Sequence, residues 1–423
     1  MFKHLRLAGF WLLSFWALTG LAHAADNYIF GTATAIPKWT TTEMSGYFSI
    51  IEGKNGKIYI GTAKYQHNAY LVEFDPTTKE MKVVIDAHKE IGLNSTGFAA
   101  QAKIHTRNNV GPSGKIYCAT KQGYPQNKEP RTAYLGGYPL VYDPATGKTR
   151  VYSIPVPHQG IISITPDESR NVAYISTCSD GRPVESSHFM ILDLATGKYR
   201  DLIESEHSYA FIVVDYLGRA YHPLRGGDIA RFDPRTDKLE RLKQTVDGKA
   251  PSSSSHLADA HNDVLNWDIT PDGKTMYCVA MSGNQLYSFD LTQTGPALNG
   301  KSLGTLLPDV KGNTDCRAMC VGPHGDVWAD VLGDNYQHLV TYHPGDAAPR
   351  DLGRLAVRNP DYTDFTDSSK KPHIWHHGLR EEKDGTKVPL YHMGVCEGHD
   401  GKVYVTYIYP YTVLQIDPKH PGK

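Results

Sequence analysis

"NGKIYIGTAKYQHNAYLVEFDPTTKEMKVV", residues 55–84, decides the fold. It opens on a Gly turn and runs through a strand ("KIYIGT"), a short loop, a strand ending in "FDP" and a more polar strand. Short runs rich in Ile, Val and Tyr, bounded by Gly, Asp and Pro, are strand signals. The same pattern returns along the chain. "SGKIYCAT" (113–120) leads to "PLVYDPATGKTRVY" (139–152), and "RNVAYIST" (170–177) leads to "FMILDLATGKYRDL" (189–202). "LGRAYHPL" (217–224) leads to "IARFDPRTDKLERL" (229–242), and 272–293 reads "DGKTMYCVAMSGNQLYSFDLTQ". The last two copies are "HGDVWADV" (324–331) with "HLVTYHPGDAAPRDL" (338–352), and "DGKVYVTYIYPYTVLQIDP" (400–418). Each "DPxTxK" supplies Asp and Pro for a turn between third and fourth strands. Four-stranded units repeated at roughly fifty residues predict an all-β chain, a seven-bladed β-propeller. The seventh copy stops after its third strand, so "NYIFGTATAI" (27–36) is expected to close the ring by pairing with it. The reading is one domain over 25–423, with "DGKAPSSSSHLADAHND" (247–263) as the most loop-like stretch.

"MFKHLRLAGFWLLSFWALTGLAHA" (1–24) has two early basic residues, a short apolar stretch and an A-x-A site. That reads as a secretory signal peptide cut before Ala25, with an uncleaved anchor as the alternative. The expected mature protein is a soluble monomer, secreted or periplasmic, with no membrane partner after cleavage. Net charge is −1, so no broad basic face favours nucleic acid, and an acidic substrate needs a local basic pocket. Of six cysteines, Cys118, Cys178 and Cys278 recur at similar places in strands and read as small buried hydrophobes. A Cys316–Cys320 disulfide is disfavoured because both lie on one strand.

In a propeller the first strand of each unit lines a central channel, and the loops leading into it gather on one face. Aligning the repeats puts Tyr47, Tyr209, Cys316 and His392 at equivalent entrances. His105 lies on the innermost strand of the second repeat, and Arg225 follows the second strand of the fourth. Tyr209 and Arg225 therefore emerge on the same face. His, Tyr and Arg around one cleft suit β-elimination from a uronic acid. Arg grips the carboxylate and stabilises the charge that builds there, while a base and an acid move protons.

The run "KIHT…GKIYCAT…GGYPLVYDPATGK", followed by "YAFIVVDYLGRAYHPLRGGDIARFDP", resembles the seven-bladed propeller polysaccharide lyases, the ulvan and rhamnose–glucuronate lyases. The resemblance implies His105 as base or proton relay, Tyr209 as acid/base and Arg225 as carboxylate neutraliser. It implies an acidic polysaccharide or oligosaccharide as substrate. That family has a second His in a "GGH"-like setting where this chain reads Gly136-Gly137-Tyr138. Tyr138 can replace it, or His158 can reach the site from the next entrance. His222 is expected to support Arg225 and touch the substrate, and Asn262 or His261 in "HNDVLNW" to add further substrate contacts.

A second cluster, "KPHIWHHGLREEKDGTKVPLYHMGVCEGH", holds His373, His376, His377, His392, Cys396 and His399. These are expected to crowd one entrance beside Cys316. A structural zinc or calcium ion is read there, with His376, His392 and Cys316 as ligands, and no organic cofactor is expected. Two other readings stay open: a metal-dependent propeller hydrolase or lactonase, and a non-catalytic glycan-binding propeller.

Overall fold

The computed structural model describes residues 27–42, 48–125, 128–178, 186–205, 209–252, 255, 257, 265–362 and 378–422. The proposed leader lies outside them. Among the described residues no helix is long and apolar enough to cross a membrane. The α-helix Ala87–Ile91 is only five residues long, and the architecture is all-β.

The first repeat is an antiparallel sheet of Ile50–Glu52, Ile58–Gly61, Tyr70–Phe74 and Met81–Asp86. Ile58–Gly61 is buried throughout, whereas Met81–Asp86 is mostly half-exposed. Middle strands covered on both faces carry continuous apolar runs, and outer strands alternate. The recurring Asp closes each turn. The Asp75 carboxylate accepts from Thr77 N at 2.8 Å, and Asp143, Asp233 and Asp417 accept equally from the residue two positions on. Such Asx turns explain why the motif survives in copies that share little else.

The units meet through their inner strands. Ile50–Glu52 touches Asn109–Val110, which touches Gly160–Asp167, and contacts continue through Val213–Val214, Leu265–Ile269, Asp315–Val321 and His392–Glu397. His392–Glu397 then touches Ile50–Glu52, so the circuit closes around a central channel. This is the β-propeller arrangement. Gly61 shows how tightly the inner layer packs, because a Cβ there would sit 2.4 Å from the carbonyl of Ile104 in the next repeat.

The missing outer strand comes from the other end of the chain, as expected. Tyr28–Ala35 pairs antiparallel with Thr412–Ile416 (Thr32 opposite Gln415) and also parallel with Arg350–Val357 of the preceding unit. Lys238–Val246 and Ala297–Thr305, two further outer strands, likewise pair in parallel.

All six cysteines are buried free thiols, which agrees with the core reading of Cys118, Cys178 and Cys278, and Cys316 and Cys320 share the strand Asp315–Val321. The fourth repeat carries a buried ionic turn. Asp215 accepts from Leu217 N and Arg219 N, both at 2.9 Å, from Arg219 Nε at 2.5 Å and from Tyr221 Oη at 3.0 Å. The Asp215 side chain is fully enclosed, and Arg219 also reaches the carbonyl of Leu291 in the next repeat.

Candidate active site at the channel mouth

The channel has two mouths separated by aromatic rings. Phe48 packs edge-on against His105 (centroids 5.7 Å apart) and against Phe211 (5.0 Å). On one side of this plug lies a cavity of about 190 Å³ whose lining includes Glu52, Arg107, Asp268, Cys320 and Glu397. On the other side, where inner strands begin, lie His105 and Tyr209.

His105 sits in a gap in the inner strand of its repeat. Lys103–Ile104 and Asn109–Val110 both pair with Ile116–Lys121, and the residues between them leave the ladder. Side chains fill the gap. Thr106 Oγ1 accepts from Ala119 N at 3.0 Å, and Asn108 Oδ1 accepts from Thr106 Oγ1 at 3.1 Å and Ser49 Oγ at 2.9 Å. "HTRN" thus trades backbone bonds for side-chain ones, and the His105 ring is left 6.0 Å from the Tyr209 ring.

Two lysines that sequence reasoning missed complete this group. Lys121 Nζ donates to Tyr209 Oη at 2.7 Å, and Lys103 stands directly opposite Lys121 in the strand pairing. Both lysines and His105 are buried, while Tyr209 is half-buried. A buried ammonium is weakly screened, so its field at neighbouring oxygens is strong. Lys103 stands two residues before His105 in "KIHT", and that closeness was the available signal.

The other expected residues fall in different places. Arg225 is exposed, and its N–H donates to the Ser205 carbonyl at 3.3 Å, which brings the Arg225 backbone beside the segment leading to Tyr209. His222 is fully buried. Its Nε2 is 2.9 Å from Ser176 Oγ, its Nδ1 is 2.6 Å from the Pro223 carbonyl, and it stacks on Phe189 at 4.8 Å. It fills the interface between the third and fourth repeats, which corrects its expected substrate contact. Tyr138 is half-buried, its hydroxyl held above the ordinary phenol range by burial. Gly136 adopts φ +134°, and a Cβ on Gly137 would lie 2.3 Å from the Thr120 carbonyl, so both glycines serve this tight approach. His158 has φ +63° and its Nδ1 is 2.6 Å from the Tyr134 carbonyl. Tyr47, His261, Asn262, His373, His376 and His377 lie outside the described residues.

The His/Cys cluster divides. His392 is buried with its Nδ1 2.7 Å from Asp330 Oδ2, a partner the sequence did not single out. His399 lies beyond the far end of the strand His392–Glu397, where it pairs with Glu52 at 2.5 Å. An extended strand separates residues seven apart by roughly 20 Å, so the two histidines face opposite mouths and do not crowd one entrance. Burial also pushes the Cys316 thiol well above its ordinary range, and its S–H faces the Ala318 carbonyl at 3.6 Å. Zinc binds thiolate. Among the described residues no three His, Cys, Asp or Glu side chains converge for a metal, and His376, the third expected ligand, lies outside them.

At the far mouth, Glu397 is 8% exposed, and burial raises its carboxyl above the ordinary range. The folded state therefore holds the proton more tightly than the unfolded chain. That stabilisation is complete below about pH 4 and is lost as pH rises through the raised value. Glu397→Gln is expected to melt higher than the parent at pH 7 and at the same temperature at pH 4. Equal melting temperatures at both pH values would contradict this.

No family model and no curated protein sequence matches the chain. Among solved structures it is similar to a streptogramin B lyase, at 14% identity and TM-score 0.57, over 92% of this chain and 97% of that one. It is also similar to a catalytically inactive virginiamycin B lyase from Staphylococcus aureus with quinupristin, at 11% and 0.54, over 91% and 98%. A third is the Cps50 (Swd1) β-propeller domain of Myceliophteria thermophila, at 12% and 0.52, over 88% and 97%. At these identities the likeness establishes the β-propeller fold alone.

Proposed function

We propose that the chain is an exported, single-domain, seven-bladed propeller that cleaves glucuronate-containing polysaccharide by β-elimination. The observation that carries this reading is the Lys121–Tyr209 hydrogen bond at 2.7 Å, with the His105 ring 6.0 Å from Tyr209. An acid/base phenol, an imidazole and buried cations meet at one mouth of the channel. The circuit of inner strands supports the blade number. Proteins named streptogramin B lyase and virginiamycin B lyase use the same fold, which makes it a suitable scaffold without deciding the substrate.

In this reading the substrate carboxylate faces Lys121 and Arg225, which stabilise the charge that develops as the C5 proton leaves. The C5–H electrons form the C4=C5 double bond, and the C4–O bond breaks. In glucuronate the C5 hydrogen and the C4 oxygen lie on the same face of the ring, so one group can serve both. Tyr209, as phenolate beside Lys121, takes the C5 proton and returns it to the departing oxygen. His105 relays protons to it. The products are an unsaturated uronate and a new reducing end. Rhamnose beside the glucuronate is the proposed context.

The test is a panel of uronate-containing glycans, ulvan included, followed by ultraviolet absorbance of the unsaturated product. Absorbance that rises with the parent and is lost in a folded Arg225→Ala variant supports the assignment. Binding without product on every glycan would reject it in favour of a non-catalytic propeller.

A further inference from the structure

Two aromatic side chains near the candidate site stand open to solvent: Trp39 at 58% and Tyr124 at 39% exposure. Isolated exposed aromatics are ordinary, whereas a connected set flanking a cleft is the usual sign of a binding surface. These are connected. Lys64 Nζ donates to the Trp39 carbonyl at 2.6 Å, and Tyr65, the next residue, stacks on Tyr124 with centroids 5.5 Å apart and planes at 27°. Gln66 Nε2 donates to the Tyr124 carbonyl at 2.8 Å and ties this loop to that of the second repeat.

A buried charge stands behind the pair. Lys103 Nζ lies 4.2 Å from the Tyr124 centroid and 4.8 Å from that of Tyr65, within cation–π range of both. Lys103 is also the strand partner of Lys121, which bonds Tyr209. A series of contacts thus leads from Tyr209 across the second repeat to an aromatic pair shared by the second and first repeats. Tyr124 keeps part of its ring in water, with the half-buried Tyr65 beside it, above an enclosed ammonium. A ligand with a flat C–H face and a negative charge is matched to both features.

We infer that Tyr124 and Tyr65, backed by Lys103, form a sugar subsite beside the cleavage point that takes an anionic pyranose of the same polysaccharide. The inference rests on the elimination reading for the position of the cleaved bond, but not for the binding itself. The pyranose lays its C–H face on Tyr124, and its acidic substituent is held in the field of Lys103. Trp39 extends the surface away from Tyr209. The chain would therefore recognise at least two consecutive sugars, with the polymer lying over the first and second repeats.

The test is Tyr124→Ala, a surface change that leaves the core intact, with Tyr124→Trp as the conservative variant. On uronate oligosaccharides that extend past the cleaved bond, Tyr124→Ala is expected to raise KM on the order of tenfold. The turnover number should stay unchanged, the shortest cleaved oligosaccharide should be unaffected, and Tyr124→Trp should restore the parent KM. A parent KM that Tyr124→Ala leaves unchanged at every length overturns the subsite while the lyase reading stands. If the parent yields no unsaturated product, titration calorimetry with the same oligosaccharides decides. A weaker Kd in Tyr124→Ala then supports the subsite although the cleavage reading has failed, and an unchanged Kd overturns it.

Discussion

Tyr209→Phe is expected to lower the release of unsaturated uronate by roughly 10²–10⁴, the usual contribution of a positioned acid or base. Oligosaccharide binding should persist, because the ring and its packing remain. The companion variant is Lys121→Met. An ammonium donating to the phenol oxygen stabilises negative charge there, so removing it makes the phenolate harder to form. The acidic limb of the pH–rate profile should then move upward by about one unit or more, with activity recovering toward alkaline pH. Lys121→Arg should hold the limb near its original place. A Lys121→Met profile that is lower at every pH but unmoved along the pH axis would reduce Lys121 to a packing role.

Asp215→Ala has the largest expected effect on stability. Its carboxylate is fully enclosed and organises four donors, two of them backbone N–H groups of its own turn. Removing it leaves the Arg219 guanidinium buried without its counter-charge, a change that typically costs about 3–5 kcal/mol. The loss should appear in denaturant unfolding as a lower midpoint with the slope unchanged. Replacing both Asp215 and Arg219 by apolar residues should recover part of it, since a buried pair is far less stabilising than its half-removal is destructive. A loss below about 1 kcal/mol in Asp215→Ala would show that water reaches Arg219.

The repeats were legible because each copy writes its own turn. Asp75, Asp143 and Asp233 bond the residue two positions on, so the signal is local. Ring closure was legible from a deficit, the absent fourth strand of the last copy. The site was only partly legible. His105 and Tyr209 of the candidate site could be singled out from the sequence, but the lysines beside them could not, because Lys121 and Tyr209 are 88 positions apart and only the circular packing of repeats brings them together. A lysine in a strand reads as solvated until the neighbouring sheet that covers it is known. His222 misled for the opposite reason. It stands near Arg225 in sequence, yet its ring lies against Ser176 and Phe189 of the neighbouring repeat. His392 and His399 were grouped by sequence distance, although a strand carries them to opposite mouths.

The strand Tyr28–Ala35 wedged between Arg350–Val357 and Thr412–Ile416 makes closure a late event in folding. Its partners lie almost the whole chain away, and contacts between such distant segments form slowly. Until they form, two long strand edges stand unpaired, and an unpaired edge accepts any strand of suitable length. At high concentration the nearest such strand belongs to another molecule. Exchange of this one segment between chains is thus the specific misfolding hazard of the architecture, and dilution during refolding is its remedy.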